Sequence, residues 1–317
     1  YFGTRPDDPN DIHPHEHRRE LRGSRVFAAW LNHDDSRGIN SLDMLEGTFI
    51  RHYMFDFGSI MGSGTVFAQR HRPGNEYIFE SKPGWLTLAT LGPYTRPWLH
   101  YTYPDVPKSV GRFEGDFFEA ERWKPEYPNP AFRNMGSDDA FWAARIVSRF
   151  NNDLIRAVVQ KAKYSDPRAT DYITATLIKR RDKVLRTWLT GVKPLVNAQL
   201  SNDGVLTFEN AAVDAGVAKP ATQYRYTLSR FDNATGVATP QTEGGITAGT
   251  SGDVKGPLRI EITAPKVLDA PFVQVSVSTI HPDYPAWANP VTFTFRRNGK
   301  QWETVGLDRN LKSVVQK

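Results

Sequence analysis

The chain has 317 residues, 39% hydrophobic and 24% charged, with a formal net charge of +5. That length exceeds one ordinary core and suits two domains, and no run approaches the roughly eighteen uninterrupted apolar residues of a bilayer span. The absence of cysteine excludes disulfides, thiolate metal sites and a cysteine nucleophile, and leaves the compartment open.

The charge is unevenly placed. Residues 145–193 carry twelve Lys and Arg against four Asp and Glu. Such a stripe suits phosphates, acidic lipid or an acidic partner, but a run of this kind more often marks the solvated face of two helices, and that is the reading adopted. Nucleic acid is not an expected partner. The chain begins at Tyr1, so any signal peptide would lie upstream, and an extracytoplasmic location, periplasmic or secreted, is the expectation.

In chain order, residues 1–12 are rich in Pro and Asp and read as an extended arm. A helix is expected over 14–32, with Pro14 in its first turn and Leu21, Val26, Phe27, Trp30 and Leu31 on its apolar face. A polar loop, 33–40, follows. Strands at 41–45 and 48–55 pair across Glu46-Gly47 as a hairpin, closed by Asp56-Phe57-Gly58. The stretch 59–133 is dense in proline, which precludes long helices. Its many aromatics, among them Trp85, Trp98, Tyr101, Tyr103, Phe117 and Trp123, argue for an ordered, irregular segment with short strands.

Helices resume at Ser137, read as an N-cap with Asp138 and Asp139 in the first turn; Phe141, Ala144, Val147, Leu154 and Val158 form the buried face. Asp166-Pro167 breaks the run. Thr170 is expected to cap a last helix reaching Trp188, with Ile173, Leu177 and Val184 inward and Gly191 beyond its end. After Pro194 the texture changes. Period-two alternation marks strands at 224–228, 258–262 and 272–277. Two more, at 291–296 and 301–305, flank Asn298-Gly299, which reads as a type I′ turn with positive φ at both positions. The expected architecture is α+β: a mixed α/β domain over 1–193, then an antiparallel β-sandwich over 194–317 of immunoglobulin-like or fibronectin-like type.

One constellation carries chemistry. A helix leads to His33-Asp34-Asp35-Ser36-Arg37-Gly38-Ile39-Asn40, then a hairpin, then Asp56-Phe57-Gly58. This resembles the catalytic core of protein kinases, where H-R-D-x-x-x-x-N precedes two short strands and D-F-G. His33, Asp35, Asn40 and Asp56 match; Asp34 stands where the family has Arg. The resemblance implies a kinase C-terminal lobe, nearest to atypical secreted and spore-coat-type kinases, over residues 14–58, and more loosely over 125–190 through Pro125-Glu126 and the helix that follows. It implies that Asp35 is the base-like residue, that His33 supports the loop, and that Asn40 and Asp56 bind Mg²⁺, with ATP as the nucleotide where the site is intact. No glycine-rich loop or strand-borne lysine precedes the motif, and Asp34 removes the usual partner of a phosphorylated loop. The reading that follows is a non-enzymatic binding or assembly subunit on a degenerate kinase-like scaffold, with the β-sandwich as a docking module and other protein chains as partners. An atypical kinase completed by an upstream lobe is the alternative.

A carbohydrate-binding or carbohydrate-active envelope protein is a third reading. Asp105, Glu114, Asp116, Glu119 and Glu121 supply carboxylates for glycoside chemistry or Ca²⁺, and Tyr284 and Trp287 could stack on sugar rings. His13, His15, His17 and His33 could hold a metal only if their segment is extended, and the helix start argues instead for a solvated terminus.

Overall fold

The computed structural model describes residues 15–221, 223–247, 258–261 and 269–309. The chain is mixed α+β and divides into two compact units, Tyr1–Thr187 and Trp188–Lys317.

In the first unit, a 3₁₀ turn at His15–His17 leads into helix α1, Arg19–Leu31. The helix expected from residue 14 is therefore shorter at its start, and Pro14 lies outside the described residues. A hairpin follows, β1 Ser41–Glu46 with β2 Phe49–Met54, then the two-residue strands β3 Ser63–Gly64 and β4 Phe67–Ala68. Helix α2, Ser81–Ala89, forms despite Pro83, because proline in a first turn removes no intrahelical hydrogen bond. Short α3, Pro130–Arg133, precedes α4, Ser137–Val147, α5, Asn152–Gln160, and α6, Pro167–Trp188.

α1 packs on α4, and Gly23 is what lets them meet: a Cβ there would lie 2.9 Å from the Trp142 ring. Arg22 and Asp139 form a two-pronged ion pair at 2.6 and 2.8 Å beside that contact. α6 is tied to α1 by the Trp30 indole, which donates to the Leu177 carbonyl at 2.9 Å. Buried Arg180 donates to the Ala29 and Trp30 carbonyls in the last turn of α1, where the regular helical hydrogen bonds run out. Its guanidinium lies 3.6 Å from the centroid of Phe118 and 4.9 Å from that of Phe113, and burial lowers its pKa to about 9. Part of the basic stripe is thus structural.

Three helix details differ from expectation. Ser137 is the first helical residue of α4; Gly136 is the N-cap, and the Asp139 carboxylate turns back to accept its N–H at 2.8 Å. Thr170 caps nothing: α6 starts three residues earlier, since proline suits a first helical position and the Asp166 carboxylate accepts the Arg168 N–H. Leu154 and Val158 face solvent, and Ile155 and Val159 are buried instead. The break after Val147 lets Asn151 cap a new helix, accepting the Leu154 N–H at 2.8 Å, and this resets the helical phase.

The second unit contains β5 Leu195–Leu200, β6 Val205–Asn210, the short α7 Ala211–Asp214, β7 Gln223–Asp232, β8 Val237–Thr247, β9 Leu258–Glu261, β10 Phe272–Ile280, β11 Val291–Asn298 and β12 Gln301–Asp308. They form two antiparallel sheets, β5-β6-β9 and β12-β11-β10-β7-β8. Alternate residues of both sheets, including Leu206, Phe208, Ile260, Tyr224, Val275, Phe293 and Phe295, share one core. Lys193 is buried in this unit, donating to the Val277 carbonyl at 2.9 Å, and desolvation lowers its pKa to about 7.

The sequence reading did not register β5, β6 and β8. β8 carries Pro240 and two glycines, and it forms as an edge strand with Pro240 opposite Ser229 at a register shift, a place that tolerates a missing donor. Residue 262, the expected end of β9, lies outside the described residues. The last hairpin also corrects an expectation. Asn298 pairs with Gln301, so the central residues are Gly299 and Lys300, and only Gly299 has positive φ, at 60°. That is the pattern of a type II′ turn, where glycine takes the first central position.

Candidate metal and phosphate site

The loop between α1 and β1 begins with a left-handed residue, Asn32, at φ 50° and ψ 48°. Asparagine tolerates this conformation, and here it turns the chain out of the helix. Its side chain is fully engaged: the amide oxygen accepts the Trp123 indole N–H at 2.7 Å, and the amide nitrogen donates to Gln69 at 2.8 Å. His33 follows, 1% exposed, its ring edge-on to Phe57 at 5.3 Å. Burial holds the imidazole below its ordinary pKa, while the nearby charges of Asp35 and Asp56 pull the other way. Ser36 closes the turn by donating to the His33 carbonyl at 2.8 Å.

Asn40 is the pivot. It is buried, its side-chain nitrogen donates to the Asp35 carbonyl at 2.7 Å, and its own backbone carbonyl accepts the Phe55 N–H at 3.1 Å. The amide nitrogen is thereby fixed, and the amide oxygen has no hydrogen-bond partner among the described residues. The Phe55 bond extends the β1–β2 ladder one step beyond Ser41↔Met54, and Asp56 is the next residue along the chain. Asp56 is exposed, at φ 61°, a conformation Asp adopts more readily than most residues and one that recurs at functional sites. The Asp35 carboxylate is paired with Arg37, whose guanidinium lies over the Tyr127 ring at 5.0 Å.

The loop is pinned from its other side by residues 126–129. The Asp34 carboxylate accepts the Glu126 N–H at 2.7 Å, and Asn129 donates to the Ser36 carbonyl at 2.9 Å. Burial pushes the Asp34 carboxyl up to about 7, against the effect of that hydrogen bond. The position at which the kinase family carries Arg is thus a structural acceptor. Sequence reading missed this role, because a bond to a backbone N–H across ninety-odd residues leaves no local pattern.

The donor set fits Mg²⁺ in kind. An amide oxygen and a carboxylate are hard ligands, and Mg²⁺ is usually held by one or two such groups together with water and phosphate oxygens. Among the described residues no group of three or more His, Asp or Glu is gathered for a metal. The alternating histidines do not form one: His15 and His17 lie in a 3₁₀ turn, His33 is buried against Phe57, and His13 is outside the described residues.

The acidic candidates of the aromatic stretch separate. Glu114 and Glu119 line a cleft of about 240 Å³ together with Glu76, Trp98, Tyr101 and Arg122, whereas Asp116 pairs with Lys179 on α6. The expected sugar platform of the β unit is not exposed. Trp287 is fully buried, its N–H donating to the Thr190 carbonyl at 3.0 Å, and Tyr284 stacks on it with ring centroids 4.5 Å apart. Among the described residues no helix is long and apolar enough to cross a membrane. No family model, curated protein or solved structure matches the chain.

Proposed function

We propose that this chain is a binding and assembly subunit on a kinase-like scaffold, in which residues 33–58 carry the metal-binding half of a phosphoryl-transfer site. Asn40 and Asp56 would hold Mg²⁺ and Asp35 would orient the accepting hydroxyl. The metal, when bound, would neutralise phosphate charge. The observation that carries this reading is the bond from the Asn40 side-chain nitrogen to the Asp35 carbonyl. It fixes the amide so that its oxygen is left for a cation, and the exposed Asp56, which has no ion-pair partner among the described residues, would be the second ligand.

The assembly part of the reading rests on the hairpin that bears the site. None of its described side chains is buried, and Leu42, Met44, Leu45, Phe49, Ile50 and Tyr53 are all exposed. A two-stranded sheet is marginal in water unless something packs on it. A partner lobe with an apolar sheet would both cover the hairpin and supply the nucleotide clamp that phosphoryl transfer requires. The β unit suits a docking module of immunoglobulin-like or fibronectin-like type. β6 sits between β5 and β9 in one sheet, and β10 sits between β7 and β11 in the other, with β8 beside β7, which is the strand logic of such sandwiches; β12 is an added edge.

Isothermal titration with Mg-ATP, run beside a phosphate-transfer assay, tests this reading. Weak binding that needs the metal and vanishes in Asp56→Ala, without transfer, is the expected result. Transfer that disappears in Asp35→Ala would replace the assembly reading with a catalytic one. Binding indifferent to Asp56→Ala would remove the kinase-like reading.

A further inference from the structure

The aromatic stretch between the hairpin and α3 takes no part in the proposed phosphoryl chemistry, yet it folds around a cleft whose lining has a marked chemical character. Apart from three prolines no aliphatic side chain lines that cleft; eight aromatic rings and nine charged groups do, four acidic and five basic. A lipid tail would have to desolvate the nine charged groups, and a polyanion would meet carboxylates nearly as often as cations. We propose that this cleft binds a neutral carbohydrate ring. A sugar presents apolar C–H faces and a rim of hydroxyls, and it needs aromatic surfaces beside planar hydrogen-bonding groups.

The wall is built in that way. Glu76 is buried and accepts both the Trp98 indole N–H and the Arg96 guanidinium, each at 2.9 Å, which fixes the indole in place. Tyr101 stacks on Phe117, with centroids 4.3 Å apart and planes 5° from parallel, giving a flat, pre-ordered surface. The charges cancel locally: Glu76 with Arg96, Glu80 with Lys124, and Glu119 with Arg122. Such pairs leave donors and acceptors for hydroxyls, with one excess positive charge over the whole lining. A volume of about 240 Å³ is small beside ligand pockets of roughly 300–1,000 Å³, so a single ring is the unit enclosed.

Saturation-transfer NMR on the full chain decides the matter, using D-glucose, D-galactose, D-mannose and N-acetyl-D-glucosamine without Mg²⁺ or nucleotide. Because neither component of the phosphoryl site is present, the result is independent of that reading. Transfer to the ring protons of at least one sugar is expected. It should weaken roughly tenfold in Trp98→Ala or Tyr101→Ala, in line with the loss of one aromatic contact, and persist in Trp85→Ala, whose ring is exposed outside the cleft. Each variant is checked by thermal melting, and Tyr101→Ala decides if Trp98→Ala does not fold. Absence of transfer to all four sugars, or transfer that survives in folded Tyr101→Ala, would overturn the proposal.

Discussion

Asp34 shows how a single side chain can belong to the fold while sitting inside a motif. Its carboxylate accepts the Glu126 N–H and has its pKa pushed up to about 7 from an ordinary 3.8, chiefly by burial. The native state therefore keeps this proton over a pH range in which the unfolded chain has lost it. The stabilising contribution is fully present below about pH 4 and is lost as pH rises through 7. At pH 8 the ionisation penalty is on the order of 4 kcal/mol. Asp34→Asn keeps an acceptor for Glu126 and removes the charge. Thermal or urea unfolding should find the variant more stable than the parent at pH 8, with the gap closing toward pH 4. A gap that is constant with pH would mean that Asp34 titrates in its ordinary range.

At the scale of elements, the sequence was informative where burial enforces a period and uninformative where a contact comes from far along the chain. The alternation of β10 and the inward residues of α6, Ile173, Leu177 and Val184, were legible because one face of each element is buried. The phase of α5 was not, because a capping Asn151 restarts the helix. β8 was hidden by Pro240 and its glycines, which an edge strand accommodates and a central one does not. The β1–β2 hairpin was legible as a hairpin, but the exposure of Leu45 and Ile50 was not, because burial of apolar side chains is the ordinary outcome. If the hairpin is a docking surface, Leu45→Glu should change the stability of the chain alone by no more than about 0.5 kcal/mol, as for other exposed positions. Chemical denaturation checks this. A loss well beyond that would show that the hairpin is packed within this chain and would withdraw it as an assembly surface.

For the molecule as a whole, the division into an α+β unit and a two-sheet β unit follows from a change of periodicity near Pro194, and the compact units part at Thr187 and Trp188. The candidate site rests on letters: His33, Asp35, Asn40 and Asp56 stand at spacings that resemble the kinase signature. What the letters could not give is the hydrogen-bonding that decides which atoms remain for a ligand. Asn40 keeps its oxygen because Asp35 takes its nitrogen, and Asp35 itself is occupied by Arg37. The central claim is that Asn40 and Asp56 form a divalent-cation site, and diffraction from crystals soaked with Mn²⁺ and ATP tests it most directly. The account predicts an anomalous peak bridging the Asn40 amide oxygen and the Asp56 carboxylate, at roughly 2.0–2.2 Å from each. Mn²⁺ bound only elsewhere, or no peak beside Asp56 when the crystals hold nucleotide, would contradict it.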